Sequence, residues 1–94
     1  MAKPVCAVVG VGPGNGAAIA QKFADEGYRV ALLARNKDYL DQLASELGDA
    51  EAYRCDVTDT EQIVAAFRKI QQDNGVIEVL IYNCLLYTSD AADD

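Results

Sequence analysis

The chain has no histidine among its 94 residues. A Cys/His zinc site and any catalytic triad built on imidazole are therefore excluded. Its three cysteines, Cys6, Cys55 and Cys84, show neither metal-ligand nor redox spacing, and Cys6 and Cys55 fall in apolar strand patterns, where a thiol behaves as a small core side chain. Lysine and arginine number 8 against 15 acidic residues, a net charge of −7 with no basic cluster. That balance argues against nucleic acid as a partner, because backbone phosphates are held by grouped cations. Apolar runs such as Val30 to Ala34 are short, far below the ~20 residues that cross a bilayer, and no signal-peptide core follows Met1. The expectation is a cytoplasmic protein with no membrane and no nucleic-acid partner.

Half of the residues are apolar and a quarter are charged, the balance of an ordinary globular protein, and this length supports one domain with one modest core. Strand-like and helix-like patterns alternate without a long linker, which is how a parallel sheet with helical crossovers reads in sequence. Val5 to Val9 is a continuous apolar strand of the kind buried on both faces. A helix follows from about Asn15, with Ile19, Ala20, Phe23 and Ala24 on one face, and stops at Gly27. Arg29 to Ala34 is a second strand, and Asn36 caps a helix whose Leu40, Leu43, Ala44 and Leu47 form one stripe ending at Gly48. The third strand spans about Glu51 to Cys55. Thr58 and Glu61 read as a capping box, opening a helix that turns Ile63, Val64, Phe67 and Ile70 to the sheet until Asn74-Gly75. Val76 to Tyr82 is the fourth strand.

The segment Val5 to Gly16 carries the chemistry: an apolar strand runs into a glycine-rich turn that opens a helix. Glycines there permit positive φ and leave no Cβ between backbone and ligand, so that main-chain N–H groups can converge on a pyrophosphate at the positive helix end. Two fingerprints overlap, Gly12-x-Gly14-x-x-Ala17 and Gly10-x-x-x-Gly14-x-Gly16. The first glycine belongs where the strand ends, and Val9 is the last strand residue, so the pattern starting at Gly10 is preferred.

Gly10-x-x-x-Gly14-x-Gly16, Arg35 after the second strand, Asp56-Val57 after the third, and Val79-Leu80-Ile81-Tyr82-Asn83 together resemble the N-terminal half of a short-chain dehydrogenase/reductase. The resemblance implies an α/β fold of Rossmann type, a doubly wound parallel sheet truncated to about four strands and three helices in the order 3-2-1-4. It implies a cofactor site of Gly10, Gly12, Gly14, Asn15, Gly16, Arg35, Asp56, Val57 and Asn83. In it Asp56 would accept from the adenine amino group, Val57 would pack on the ring, and Asn83 would stand beside the adenosine ribose. Val9, Gly12 and Pro13 depart from the hydroxyl-bearing residues often found at those places, which leaves phosphate to backbone N–H groups. An acidic residue at the end of the second strand would bind the ribose hydroxyls of NAD; Ala34-Arg35 offers a guanidinium instead, which favours NADP over NAD.

The family's Tyr works with a Lys four residues on and a Ser that holds the substrate oxygen, in hydride transfer between nicotinamide and a carbonyl or alcohol carbon. None of Tyr28, Tyr39, Tyr53, Tyr82 or Tyr87 has Lys at that spacing. The expectation is a fragment that binds cofactor and turns over nothing, from a homo-oligomeric parent acting on a small carbonyl or alcohol substrate. A non-catalytic nucleotide-sensing module stays open as an alternative. A methyltransferase fits less well, since its cofactor ribose calls for an acid where Arg35 stands. Residues 84–94, Cys84-Leu-Leu-Tyr-Thr-Ser-Asp-Ala-Ala-Asp-Asp94, resemble a translated sequencing adapter and are read as a non-native tail. Residues 1–83 are then a partial dinucleotide-binding domain.

Overall fold

The computed structural model describes residues 3–11 and 15–82. At its centre lies β1 (Val5–Val9), whose five consecutive apolar residues are all buried. An unbroken apolar run is what a strand needs when helices cover both of its faces. The elements that follow are α1 (Asn15–Asp25), β2 (Arg29–Ala34), α2 (Lys37–Leu47), β3 (Ala50–Arg54), α3 (Thr60–Asn74) and β4 (Ile77–Tyr82). The four strands form one parallel sheet in the order β3-β2-β1-β4, as the resemblance implies.

Two apolar clusters, one on each face of the sheet, make up the core. Cys6, Val8, Val30 and Leu32 point to one side, where Ala20 of α1 and Leu40 and Leu43 of α2 cover them. Val5, Ala7, Val9, Ala31 and Leu33 point to the other, under Ala66 and Ile70 of α3. The alternation follows from the side-chain period of a strand, and it puts α1 and α2 on one face and α3 on the other. Cys6 and Cys55 are both buried, and burial pushes the Cys6 thiol up to about 11, consistent with core packing.

Beside β1, β4 keeps its register from Cys6↔Val79 to Val9↔Tyr82, but a bulge separates this stretch from the Val5↔Ile77 pair. The bulge explains why Ile77 packs on the α3 side while Val79 and Ile81 pack on the other. Leu80 and Tyr82 remain 54% and 51% exposed, since α3 packs mainly over β2 and β3.

Four details differ from the pattern read in the sequence. β3 spans Ala50–Arg54, one residue earlier than Glu51 to Cys55, and β4 starts at Ile77, not Val76. The α3 cap is Asp59, not Thr58: the Asp59 carboxylate accepts from the N–H groups of Glu61 and Gln62, while the Thr58 hydroxyl turns back to Asp56. A charged carboxylate one residue nearer the first turn meets the orphan N–H groups more directly. Val64 is exposed, because α3 lays only the stripe of Ile63, Ala66, Phe67 and Ile70 on the sheet. Asp59→Ala is expected to cost about 1 kcal/mol. Thr58→Ala, which keeps the cap, should cost less in the same thermal melts.

Asn36 caps α2 as expected, its side chain accepting from Tyr39 N–H at 3.1 Å, and Gly48 closes the helix with its N–H on the Ala44 carbonyl. The polar anchors gather at the amino edge of the sheet. Arg29, at the head of β2, donates to Asn74 Oδ1 and Asp49 Oδ1 at 2.9 Å and to Glu51 Oε1 at 3.2 Å. Asn74 donates in turn to the Tyr53 hydroxyl at 2.9 Å, so the end of α3 is tied to both β2 and β3. Lys3 also pairs with Asp49, and the two cations hold its carboxyl below the usual carboxylate range. Burial is the main reason the Tyr53 phenol is pushed far above its ordinary range.

Candidate functional site

The carboxyl ends of the strands form the opposite edge. Between β1 and β4 the chain changes direction across the sheet: β1, α1, β2, α2 and β3 step one way, and α3 returns to the far side of β1. Ligands of open α/β sheets bind outside the carboxyl ends at such a switch point. Gly10 stands there, directly after β1, with φ +87°, a conformation costly for any residue with a Cβ.

The Gly10 amide is not free for a ligand. It donates to the Leu33 carbonyl at 2.8 Å, and the Val11 amide shares the same acceptor at 3.1 Å. The convergence of amides expected around the turn therefore omits Gly10 itself, whose part is the positive-φ turn that ends the strand. Gly16 lies buried in the first turn of α1, where N–H groups have no acceptor within the helix. Gly12, Gly14, Asn83 and the side chain of Asn15 lie outside the described residues.

Arg35 sits in the bend between Ala34 and the α2 cap Asn36 and is exposed. Five of the eight basic residues, Lys3, Lys22, Arg29, Lys37 and Lys69, form ion pairs; among the described residues Arg35, Arg54 and Arg68 form none. An arginine left unpaired in an acidic chain is available to an outside anion.

Asp56 lies just beyond the end of β3. Its Oδ1 accepts from the Thr58 hydroxyl at 2.6 Å and from the Thr58 N–H at 2.9 Å, and its own N–H donates to Gln62 Oε1 at 2.8 Å. The Thr58 hydroxyl, then the Thr58 amide and the Arg35 and Arg54 charges hold its carboxyl below the usual range, so Asp56 is an ionised acceptor at neutral pH. Val57 is half-buried against the α3-side cluster, and its carbonyl accepts from the Tyr82 hydroxyl at 3.4 Å. That contact joins the end of β4 to the Asp56-Val57 loop.

Arg35 and Asp56 thus come within electrostatic reach of each other, and Val57 meets β4. Three residues at the site were not singled out from the sequence. Gln62 holds the Asp56 backbone, and the Asp59 to Gln62 spacing of a capping pair was a visible sign of it. Tyr82 and Arg54 carried no sequence signal, since both depend on which strand ends become neighbours. A groove of about 380 Å³ lined by Ala52, Tyr53, Arg54, Gln62, Ala65, Ala66 and Lys69 runs along the free edge of β3, and none of the glycines belongs to it. Among the described residues no cluster of His, Cys, Asp or Glu is placed to hold a metal, and no helix is long and apolar enough to cross a membrane.

The residues present fit a dinucleotide: a positive-φ turn at the switch point, a helix N-terminus behind it, a guanidinium with no ion pair among the described residues, and an ionised carboxylate beyond β3. A doubly wound parallel sheet with this turn after its first strand defines a Rossmann-type domain. The chain belongs to the short chain dehydrogenase family, whose sequence profile matches residues 4–92. A 3-oxoacyl-[acyl-carrier-protein] reductase of Mus musculus is 37% identical over 78 residues, 82% of this chain and 33% of that protein. The granaticin polyketide synthase putative ketoacyl reductase 1 of Streptomyces violaceoruber is 38% identical over 86 residues, 87% of this chain and 32% of that protein. Among solved structures, an F189W actinorhodin polyketide ketoreductase with NADPH superposes with a TM-score of 0.82 at 31% identity, covering 88% of this chain and 34% of the other. A metagenomic short-chain oxidoreductase in complex with NADP gives 0.78 at 32% identity, covering 85% and 38%. The chain spans about a third of the length of these relatives.

Proposed function

We propose that the chain is the amino-terminal, NADP(H)-binding part of a short-chain oxidoreductase that moves hydride between the nicotinamide and a carbonyl or alcohol carbon. The observation that carries the cofactor choice is Arg35: exposed, without an ion pair among the described residues, at the carboxyl end of β2, with Ala34 in place of an acid. A ribose 2′-phosphate would meet a matching charge there and no carboxylate at the end of β2. The α1 N-terminus with Gly10, Gly12, Gly14, Asn15 and Gly16 would hold the diphosphate, and Asp56, Val57 and Asn83 the adenosine end.

When bound, the nicotinamide supplies or accepts the hydride; these residues hold the coenzyme and leave proton transfer to a Tyr and Lys that the chain does not contain at the family's spacing. Relatives named as 3-oxoacyl and polyketide ketoreductases make a keto group on an acyl chain the favoured substrate of the whole protein. Titration calorimetry of this chain against NADPH and NADH tests the proposal. NADPH is expected to bind at least roughly tenfold more tightly, a difference of about 1.4 kcal/mol. Equal affinities would remove the basis for NADP selection, and no heat with either would remove the site.

A further inference from the structure

We propose that Arg54 forms, with Arg35, a two-arginine clamp on the ribose 2′-phosphate across the carboxyl ends of β2 and β3. The inference rests on the NADP(H) reading above and adds to it a selectivity residue that has no counterpart in the glycine turn or in the end of β2.

The register places Arg54 beside Ala34, the residue before Arg35. Ala34 pairs with Arg54, and the Cys55 amide donates to the Ala34 carbonyl at 2.9 Å, so the ladder is intact up to the last residue before Arg35. Neighbouring strands run ~4.8 Å apart, which brings the backbones of Arg35 and Arg54 onto adjacent strand ends. Arg54 alternates with Tyr53 and Cys55, which face α3, and so shares a face with Ala52 and Ala34, on the side of α2. Both guanidinium groups act on the Asp56 carboxylate, whose Oδ1 is already taken by Thr58.

Neither arginine has an ion pair among the described residues, although acids outnumber bases 15 to 8. Arg54 also borders the groove along the free edge of β3, whose lining carries no carboxylate. Two cations without an ion pair among the described residues, while five others in the chain are matched, face the single carboxylate of Asp56 and leave a net positive charge at the carboxyl ends of β2 and β3. A dianionic phosphate monoester suits it better than a single carboxylate, because two planar forks can share its oxygens.

The test is calorimetric binding of NADP+ and NAD+ to the chain and to its Arg54→Gln, Arg35→Gln and Arg68→Gln variants, each checked for native circular dichroism. Arg54→Gln is expected to weaken NADP+ roughly tenfold, the loss of one charge-assisted contact, and to leave NAD+ within about twofold. Arg68→Gln, which removes the third unpaired arginine, out on α3, should change neither. Arg54→Lys keeps the charge without the fork and should restore NADP+ binding in part; it also decides the matter if Arg54→Gln does not fold. Selective loss in Arg35→Gln with Arg54→Gln behaving like Arg68→Gln overturns the clamp and leaves the NADP(H) reading standing. Arg54→Gln weakening both coenzymes alike overturns the clamp as well. No selective loss in either Arg35→Gln or Arg54→Gln overturns the reading and the clamp together.

Discussion

Arg35→Ala is expected to weaken NADP+ binding by about 2–3 kcal/mol, roughly a hundredfold, while NAD+ binding changes by no more than a few-fold. The asymmetry follows from where the guanidinium stands. Arg35 contributes nothing to the core, makes no ion pair among the described residues and lies in an exposed bend, so its loss removes no packing and leaves no buried partner behind. Its effect should fall only on a ligand that carries a charge at that spot. Parallel calorimetric titrations of the wild type and the variant measure the ratio directly. An equal loss for both coenzymes would mean that Arg35 shapes the turn into α2 and does not read the phosphate.

Leu32→Ala is expected to destabilise the fold by about 3–5 kcal/mol, the upper range for a large-to-small change in a core that cannot collapse. Leu32 lies in β2, paired with Val8 on one side and Ala52 on the other, beneath Leu40 and Leu43 of α2, with no exposed surface. Strands on both sides and a helix above leave little freedom to fill the cavity. For a domain of this size each lost kcal/mol lowers Tm by about 4–8 °C, so the transition should fall by well over 10 °C. Val64→Ala is the internal comparison: Val64 is 43% exposed, and its truncation should cost under ~1 kcal/mol. Similar melting shifts for the two variants would contradict the burial of β2 on both faces.

Most of the architecture could be read from apolar periodicity. The unbroken run of β1, the helical stripe of Leu40 and Leu43, and the glycines that close α2 and α3 are local signals, and each specifies its element without help from the others. The cap of α3 was misread by one residue, because Thr58 and Asp59 both suit that role and only the position of Asp56 decides which side chain is diverted from it. Val64 differs for a related reason: an apolar residue at the margin of a helical stripe is buried only if a strand lies under it, and α3 lies mainly over β2 and β3.

The candidate site divides in the same way. A glycine after the last residue of β1, an arginine after β2 and an aspartate after β3 are positions along the chain, and their residue types alone point to phosphate, anion and hydrogen-bond acceptor. That Gly10 lends its turn but gives its amide to Leu33 was invisible, since the acceptor lies on another strand.

What the linear order of residues determined by itself is the α/β class, the element boundaries to within about one or two residues, and the glycine turn with Arg35 and Asp56 as the residues to watch. These rest on side-chain period, backbone freedom and charge, which act over a few neighbouring positions. What only the tertiary structure decided is which cations lack an ion pair among the described residues, that the Gly10 amide is taken by Leu33, and that Arg54 pairs with Ala34, the residue before Arg35. Those depend on strand order and register, which bring together residues far apart along the chain and set the partner each polar group finds.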